Sequence, residues 1–205
     1  MSVRVEPLPT GTLFHVVAGR AELSAGLRVG AVLFVTVLTV VAAQVSVPLP
    51  FTPVPFTLQP MVVLLGGAAL GARLGMSSQV LYLVLGIAGL PVFAASPVLP
   101  QGFARLLGPT GGYLMSYPFA AFVAGYLAER RFDRRYTTSL VAMLAGLAIV
   151  YGFGIAWIAY GPVAVGFAAA LGAGFYPFVV ADLLKIAIAA AVLPSAWAFL
   201  NRYRT

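Results

Sequence analysis

Cysteine is absent from the 205 residues, and histidine occurs once, as His15. No cysteine means no disulfide framework, no thiol nucleophile and no cysteine metal site. One histidine in an N-terminal tail that also holds two of the five acids gives no set of metal ligands, so no metal centre is expected. Charge is scarce as well. Five acids and twelve bases make up 8% of the chain, against about 25% in soluble domains. That is too little to cover a water-facing surface, so a soluble enzyme, a disordered segment and a secreted disulfide scaffold are all excluded. What is abundant is apolar: 61% of the residues are hydrophobic. The composition is that of an integral membrane protein.

The few charges divide the chain. None falls in 29–72, 74–104, 106–128 or 136–181. A helix needs about 20 apolar residues to cross about 30 Å of hydrocarbon. The first gap is broken by Pro48, Pro50, Pro53 and Pro55, and repeated prolines interrupt a helix. The expected architecture is an all-α bundle of six transmembrane helices forming a single membrane domain over 1–205. Its spans are expected near 27–46, 57–73, 74–92, 111–129, 138–159 and 176–200, after an N-terminal tail of 1–26. The tail has no uninterrupted apolar core before Arg20 and Glu22 and no cleavage pattern, so it does not read as a signal peptide.

Six spans place both termini on one side, and the positive-inside rule selects the cytoplasm. Arg4, Arg20, Arg28, Arg73, Arg130, Arg131, Arg134, Arg135, Arg202 and Arg204 then lie inside. Only Arg105 lies in an outer loop, and Lys185 lies within a span. This asymmetry explains the net charge of +7 as membrane topology, with no nucleic-acid partner.

Helical rise converts sequence into depth at about 1.5 Å per residue. Twenty residues separate Asp182 from Arg202, so Asp182 is expected near the outer boundary with Lys185 about a turn deeper. The loops 48–59, 93–110 and 160–175 converge on the same face, and Gln44, Thr57, Gln59, Tyr113, Tyr117 and Tyr176 favour it. Asp182 and Lys185 are three apart and share a helix face. Lys185 is the only lysine. Ionisable residues inside a span usually mark function; the plainer reading is an ion pair that only holds helices together. As a binding site, the pair with Arg105 suits a small ligand with N–H donors at one end, an apolar middle and an anionic group. Pro48 to Gln59 reads as a lid, with Phe51 and Phe56 as its apolar underside. Gly108–Gly112 reads as a tight turn opening the fourth span. Tyr113 and Tyr117, four apart, either line the cavity or simply pack.

Nothing in the chain powers transport. The lone lysine follows Leu184 and is not in a Walker A motif. A borrowed motor needs a docking surface, and Ala21-x-x-x-Ala25 and Gly26-x-x-x-Gly30 supply small residues at the spacing that lets helices approach closely.

Four ordered motifs carry a family resemblance. They are Pro53-Val54-Pro55-Phe56-Thr57-Leu58-Gln59, Gly86-Ile87-Ala88-Gly89-Leu90-Pro91-Val92-Phe93, Leu107-Gly108-Pro109-Thr110-Gly111-Gly112-Tyr113-Leu114 and Asp182-Leu183-Leu184-Lys185. From about residue 26 to 200 the chain resembles BioY, the biotin-specific substrate-binding subunit, or S component, of energy-coupling factor (ECF) transporters. The resemblance implies six helices with cytoplasmic termini in the cytoplasmic membrane, and biotin held near the outer face under the first external loop. It implies that Asp182 and Lys185 contribute to the biotin site, with no catalysis and no cofactor. It also implies docking through the first helix, here Gly26 and Gly30 in place of alanines, onto a transmembrane coupling subunit carrying two ATPases. Solitary or homo-oligomeric action stays open. So do an S component for another small vitamin and a structural or assembly subunit. An intramembrane enzyme is disfavoured, because only Asp182 and Lys185 are at hand to act as nucleophile and base.

Overall fold

The computed structural model describes residues 11–17, 24–96 and 99–202. A short helix α1 (Leu13–Val17) precedes α2 (Ala25–Gln44), which Ser24 caps by accepting from Leu27 N–H at 3.3 Å. Two-residue strands β1 (Ser46–Val47) and β2 (Phe56–Thr57) pair antiparallel, with Ser46 opposite Thr57 and Val47 opposite Phe56. They pinch the base of the proline-rich loop into a closed arch. The sequence reading had an extended loop here and no strands; four prolines in eight residues keep the arch itself out of any ladder.

Helices α3 (Gln59–Leu70) and α4 (Ala72–Ile87) follow, joined by one residue, Gly71, at φ +91°. Only glycine takes that backbone cheaply. The chain therefore folds back at Gly71, two residues before the Arg73 boundary expected from charge. The close approach of α3, α4 and α6 (Gly111–Glu129) has a simple cause. A Cβ on Gly67 would run into the backbone of Ala121, and one on Gly75 would meet the backbone of Gly67. Small residues at helix crossings take the place of a hydrophobic driving force in lipid.

The fifth and sixth long segments are α7 (Tyr136–Tyr160) and α9 (Val179–Arg202). Between them lies α8 (Phe167–Gly174), and α5 (Ala104–Leu107) precedes α6. Neither α5 nor α8 was anticipated. Three helices, α2, α7 and α9, are long and apolar enough to cross a bilayer. The shorter apolar helices α3 and α4 have 12 and 16 residues, and α3 rises only about 18 Å. The expected span 57–73 is thus a shorter helix, cut by Pro60 near its start and Gly71 at its end.

The buried core draws on α3, α4, α6, α7 and α9, including Val63, Leu64, Tyr82, Ala120, Ala121, Met143, Val150, Ile186 and Leu193. Polar ties cross the apolar interior. Thr36 Oγ1 donates to the Ser78 carbonyl at 2.9 Å, and Gln79 Nε2 donates to Thr39 Oγ1 at 3.1 Å, joining α2 to α4. Outward faces are apolar: Val29, Phe34 and Val41 on α2 and Val180, Leu184 and Ile188 on α9 are all exposed. Patches of this kind on a chain so poor in charge suit contact with lipid rather than water.

Candidate functional site

Asp182 lies in the first turn of α9, where the helix dipole favours a carboxylate. Lys185 lies a turn further on, and the two side chains meet: Lys185 Nζ is 2.8 Å from Asp182 Oδ1. Both residues are buried. Two other elements complete the pair. Tyr151 of α7 donates its hydroxyl to Asp182 Oδ2 at 2.6 Å. Lys185 Nζ also donates to the Thr57 carbonyl of β2 at 2.7 Å and stands 3.5 Å from the centre of the Phe56 ring. Phe56 in turn stacks against Phe178. The ammonium is thus held by a carboxylate, a carbonyl and an aromatic face, which together replace the hydration it has lost.

The pair faces a narrow cavity of about 60 Å³, below the range of about 300–1,000 Å³ usual for small-molecule sites, so its walls must part to admit a ligand. Val54, Pro55 and Phe56 form one wall, Tyr113, Leu114 and Tyr117 another, and Val150 and Phe178 a third. Gln59, Arg105 and Thr110 supply further polar groups to the lining. Gln59 Nε2 donates to the Tyr82 hydroxyl at 2.7 Å, and that hydroxyl donates on to the Val92 carbonyl. Gln59 is therefore committed to holding the loop after α4.

Arg105 behaves differently. It is 1% exposed, yet its guanidinium makes a single hydrogen bond, from Nη2 to the Ala94 carbonyl at 2.6 Å. Among the described residues its Nε has no partner, and neither has the buried Thr110 hydroxyl in the same cavity. No carboxylate pairs with Arg105 among the described residues. Burial pulls the guanidinium below its ordinary pKa, with the nearby Tyr82 opposing. A buried cation without a counter-charge is costly, and an anion entering the cavity would remove that cost.

Of the residues read from the sequence, Asp182, Lys185, Arg105, Tyr113, Tyr117, Phe56 and Gln59 all line this cavity. Phe51 does not. It is 68% exposed and sits in a crevice on the outer side of the loop, because Thr52 turns the arch by bonding to the Ala173 carbonyl at 2.5 Å. The underside of the loop is Val54, Pro55 and Phe56. Tyr113 spends its hydroxyl on the Gly174 carbonyl at 2.7 Å, holding α8 to α6; Tyr117 presents its hydroxyl with no hydrogen bond among the described residues. In the Gly108–Gly112 turn, a Cβ on Gly111 would collide with the Leu106 carbonyl, and one on Gly112 with Trp157. Close packing thus accounts for both glycines. On α2, Ala25, Gly26 and Gly30 are exposed, with open space where a Cβ would stand on either glycine. Ala21 lies outside the described residues.

The sequence reading missed Tyr151, Tyr82, the Thr57 carbonyl and Thr110. Depth arithmetic misleads for Tyr151: counted from Tyr160 it lies about 14 Å below the outer end of α7, apparently deeper than Asp182. The 25-residue α7 runs past the level where α9 begins, which brings the two level.

A BioY family model matches residues 20–202, and the chain belongs to the BioY family. Among similar proteins, the probable biotin transporter BioY of Pyrococcus horikoshii is 44% identical over 152 residues, covering 74% of this chain and 85% of that one. The biotin transporter BioY of Thermotoga maritima is 40% identical over 157 residues, covering 77% and 88%. In structure the chain is similar to the crystallised S-component for biotin from an ECF-type ABC transporter. The TM-score is 0.74 at 24% identity, covering 85% of this chain and 94% of that one; at that identity the likeness speaks for the fold.

Proposed function

We propose that the protein captures biotin at the outer face of the cytoplasmic membrane and serves as the substrate-binding subunit of an ECF-type transporter, without catalysis or cofactor. One observation carries this reading. One cavity gathers Asp182, Lys185 and Tyr151 together with Arg105 and Thr110 among apolar walls. Biotin has groups to suit each of these, a ureido ring, an apolar middle and a carboxylate.

In this reading the ureido N–H groups donate to Asp182, whose oxygens each keep a free lone pair beside the bonds from Lys185 and Tyr151. Lys185 turns from the Thr57 carbonyl toward the ureido oxygen. The carboxylate goes to Arg105 and Thr110, because Asp182 and Lys185 already neutralise each other, whereas Arg105 has no counter-ion among the described residues of the cavity. The arch 48–55 closes the outer side, and release of Thr52 from Ala173 opens it.

The same reading gives a single membrane domain of six spans with both termini cytoplasmic. The open small-residue face of α2 at Ala25, Gly26 and Gly30 then serves a coupling subunit carrying two ATPases, or a second copy of the chain. Titration of the purified protein with biotin and with a panel of other small vitamins tests the assignment. Tight, saturable binding of biotin alone supports it, and preference for another vitamin overturns the specificity while sparing the architecture.

A further inference from the structure

The end of the bundle opposite the biotin cavity holds a second opening, lined by five helices, His15 of α1 among the contributors. Arg28 comes from the first turns of α2, Leu70 from the end of α3, Arg73 from the start of α4, and Phe122, Tyr126 and Glu129 from the end of α6. Along α6, Tyr113 of the biotin cavity and Glu129 of this cleft are 16 residues apart, about 24 Å. The two are separate sites at opposite ends of the helices.

Three features of the cleft belong together. Its volume is about 530 Å³, and it is open to the outside. Arg28 and Arg73 are both exposed, and among the described residues neither guanidinium has an ion-pair or hydrogen-bond partner. Glu129, the acid beside them, is occupied: its Oε1 accepts the Ala72 N–H at 2.9 Å and so caps α4. The third feature is an aromatic rail on the exposed face of α6. Phe122 and Tyr126 stack with ring centres 6.1 Å apart, and the Arg130 guanidinium lies 3.4 Å above Tyr126. The rail joins an apolar surface to the cleft that Arg28 and Arg73 line.

We propose that this cleft binds one anionic phospholipid. Its phosphate sits between Arg28 and Arg73, and an acyl chain lies along Phe122 and Tyr126. Charge complementarity and the unbroken passage from apolar rail to cations select this occupant. A free phosphate would leave the rail unused, and a neutral lipid would leave the arginines unpaired. Basic clefts between helices at an inner membrane face suit such headgroups, and aromatic rings are favoured at that level. The inference rests on the membrane orientation proposed above, but not on biotin as the ligand.

The test is lipid retention by the purified chain, with no coupling subunit present, followed by native mass spectrometry after exchange with phosphatidylglycerol or phosphatidylcholine. Phosphatidylglycerol is expected to stay bound one to one while phosphatidylcholine washes off. Each cation near an anionic headgroup is worth roughly fivefold, so the double variant Arg28→Gln, Arg73→Gln is expected to weaken retention by roughly tenfold to thirtyfold. Arg135→Gln, which removes one cation outside the cleft, leaves retention unchanged. Unaltered biotin affinity in the double variant shows that it is folded. Equal retention of the two lipids by the wild-type chain overturns the proposal, as does an equal effect of Arg135→Gln. Displacement of phosphatidylglycerol by millimolar inorganic phosphate also overturns it, making the cleft a phosphate site.

Discussion

The Tyr151 hydroxyl donates to Asp182 Oδ2 at 2.6 Å across 31 residues of sequence, while Lys185 takes the other carboxylate oxygen at 2.8 Å. The acid is therefore fixed in rotation from both sides before any ligand arrives. Such preorganisation removes an ordering cost from binding. Tyr151→Phe deletes only the hydroxyl. A hydrogen bond to a charged group is worth about 1.5–3 kcal/mol, so biotin affinity is expected to fall by roughly tenfold to a hundredfold. Calorimetric titration checks this, with the melting temperature as the control for folding.

Arg105 supplies the second prediction. If the biotin carboxylate is its missing counter-ion, Arg105→Gln weakens biotin strongly and biotin amide hardly at all. The wild-type protein in turn prefers the acid to the amide. The ratio of the two affinities in each protein is the measurement; an unchanged ratio would return the carboxylate to Lys185.

Gly154 and Gly174 make the space in which Tyr113 stands, since a Cβ on either would overlap its ring or hydroxyl. Gly154→Ala pushes Tyr113 toward the cavity or breaks its bond to the Gly174 carbonyl. Binding is expected to fall by roughly fivefold to a hundredfold, and the double variant Gly154→Ala, Tyr113→Leu is expected to recover part of it. Overpacking costs about 1–3 kcal/mol in general, which is the source of this figure.

Much of the helical layout was legible because charge is so rare. The expected 111–129 coincides with α6, and 138–159 and 176–200 differ from α7 and α9 by one to three residues at each end. The end that shifted most is that of α4, at Ile87 where 92 was expected; in the first long gap the ends moved by two or three residues. There Pro60 and Gly71 set the limits of α3, and neither is visible to a count of charges. Asp182 and Lys185 stood out for the same reason that Tyr151 did not. An ion in an apolar helix is an exception, whereas a tyrosine among so many aromatics is ordinary until a partner is seen beside it. Contacts through backbone atoms, such as the Thr57 carbonyl on Lys185, leave no trace in residue type.

At the other end of the bundle, Trp197 of α9 donates to the fully buried Asp133 at 2.6 Å, and the Arg134 guanidinium lies 3.3 Å above the Trp197 ring. Arg134 also donates to the Gly11 carbonyl at 2.9 Å. This clasp ties the 130–135 loop to α9 and to the segment before α1, far from the cavity. Trp197→Phe is expected to cost about 1.5–3 kcal/mol, read as a lower melting temperature in detergent, with biotin affinity unchanged. A loss of affinity without a loss of stability would mean that the two ends of the bundle are coupled.

The most direct test of the whole account is calorimetric titration of biotin into the wild-type protein and into Asp182→Asn and Lys185→Met. Saturable one-to-one binding to the wild type, weakened at least a hundredfold in both folded variants, is the expected result. Undiminished binding in either variant would contradict the claim that this ion pair grips the ligand.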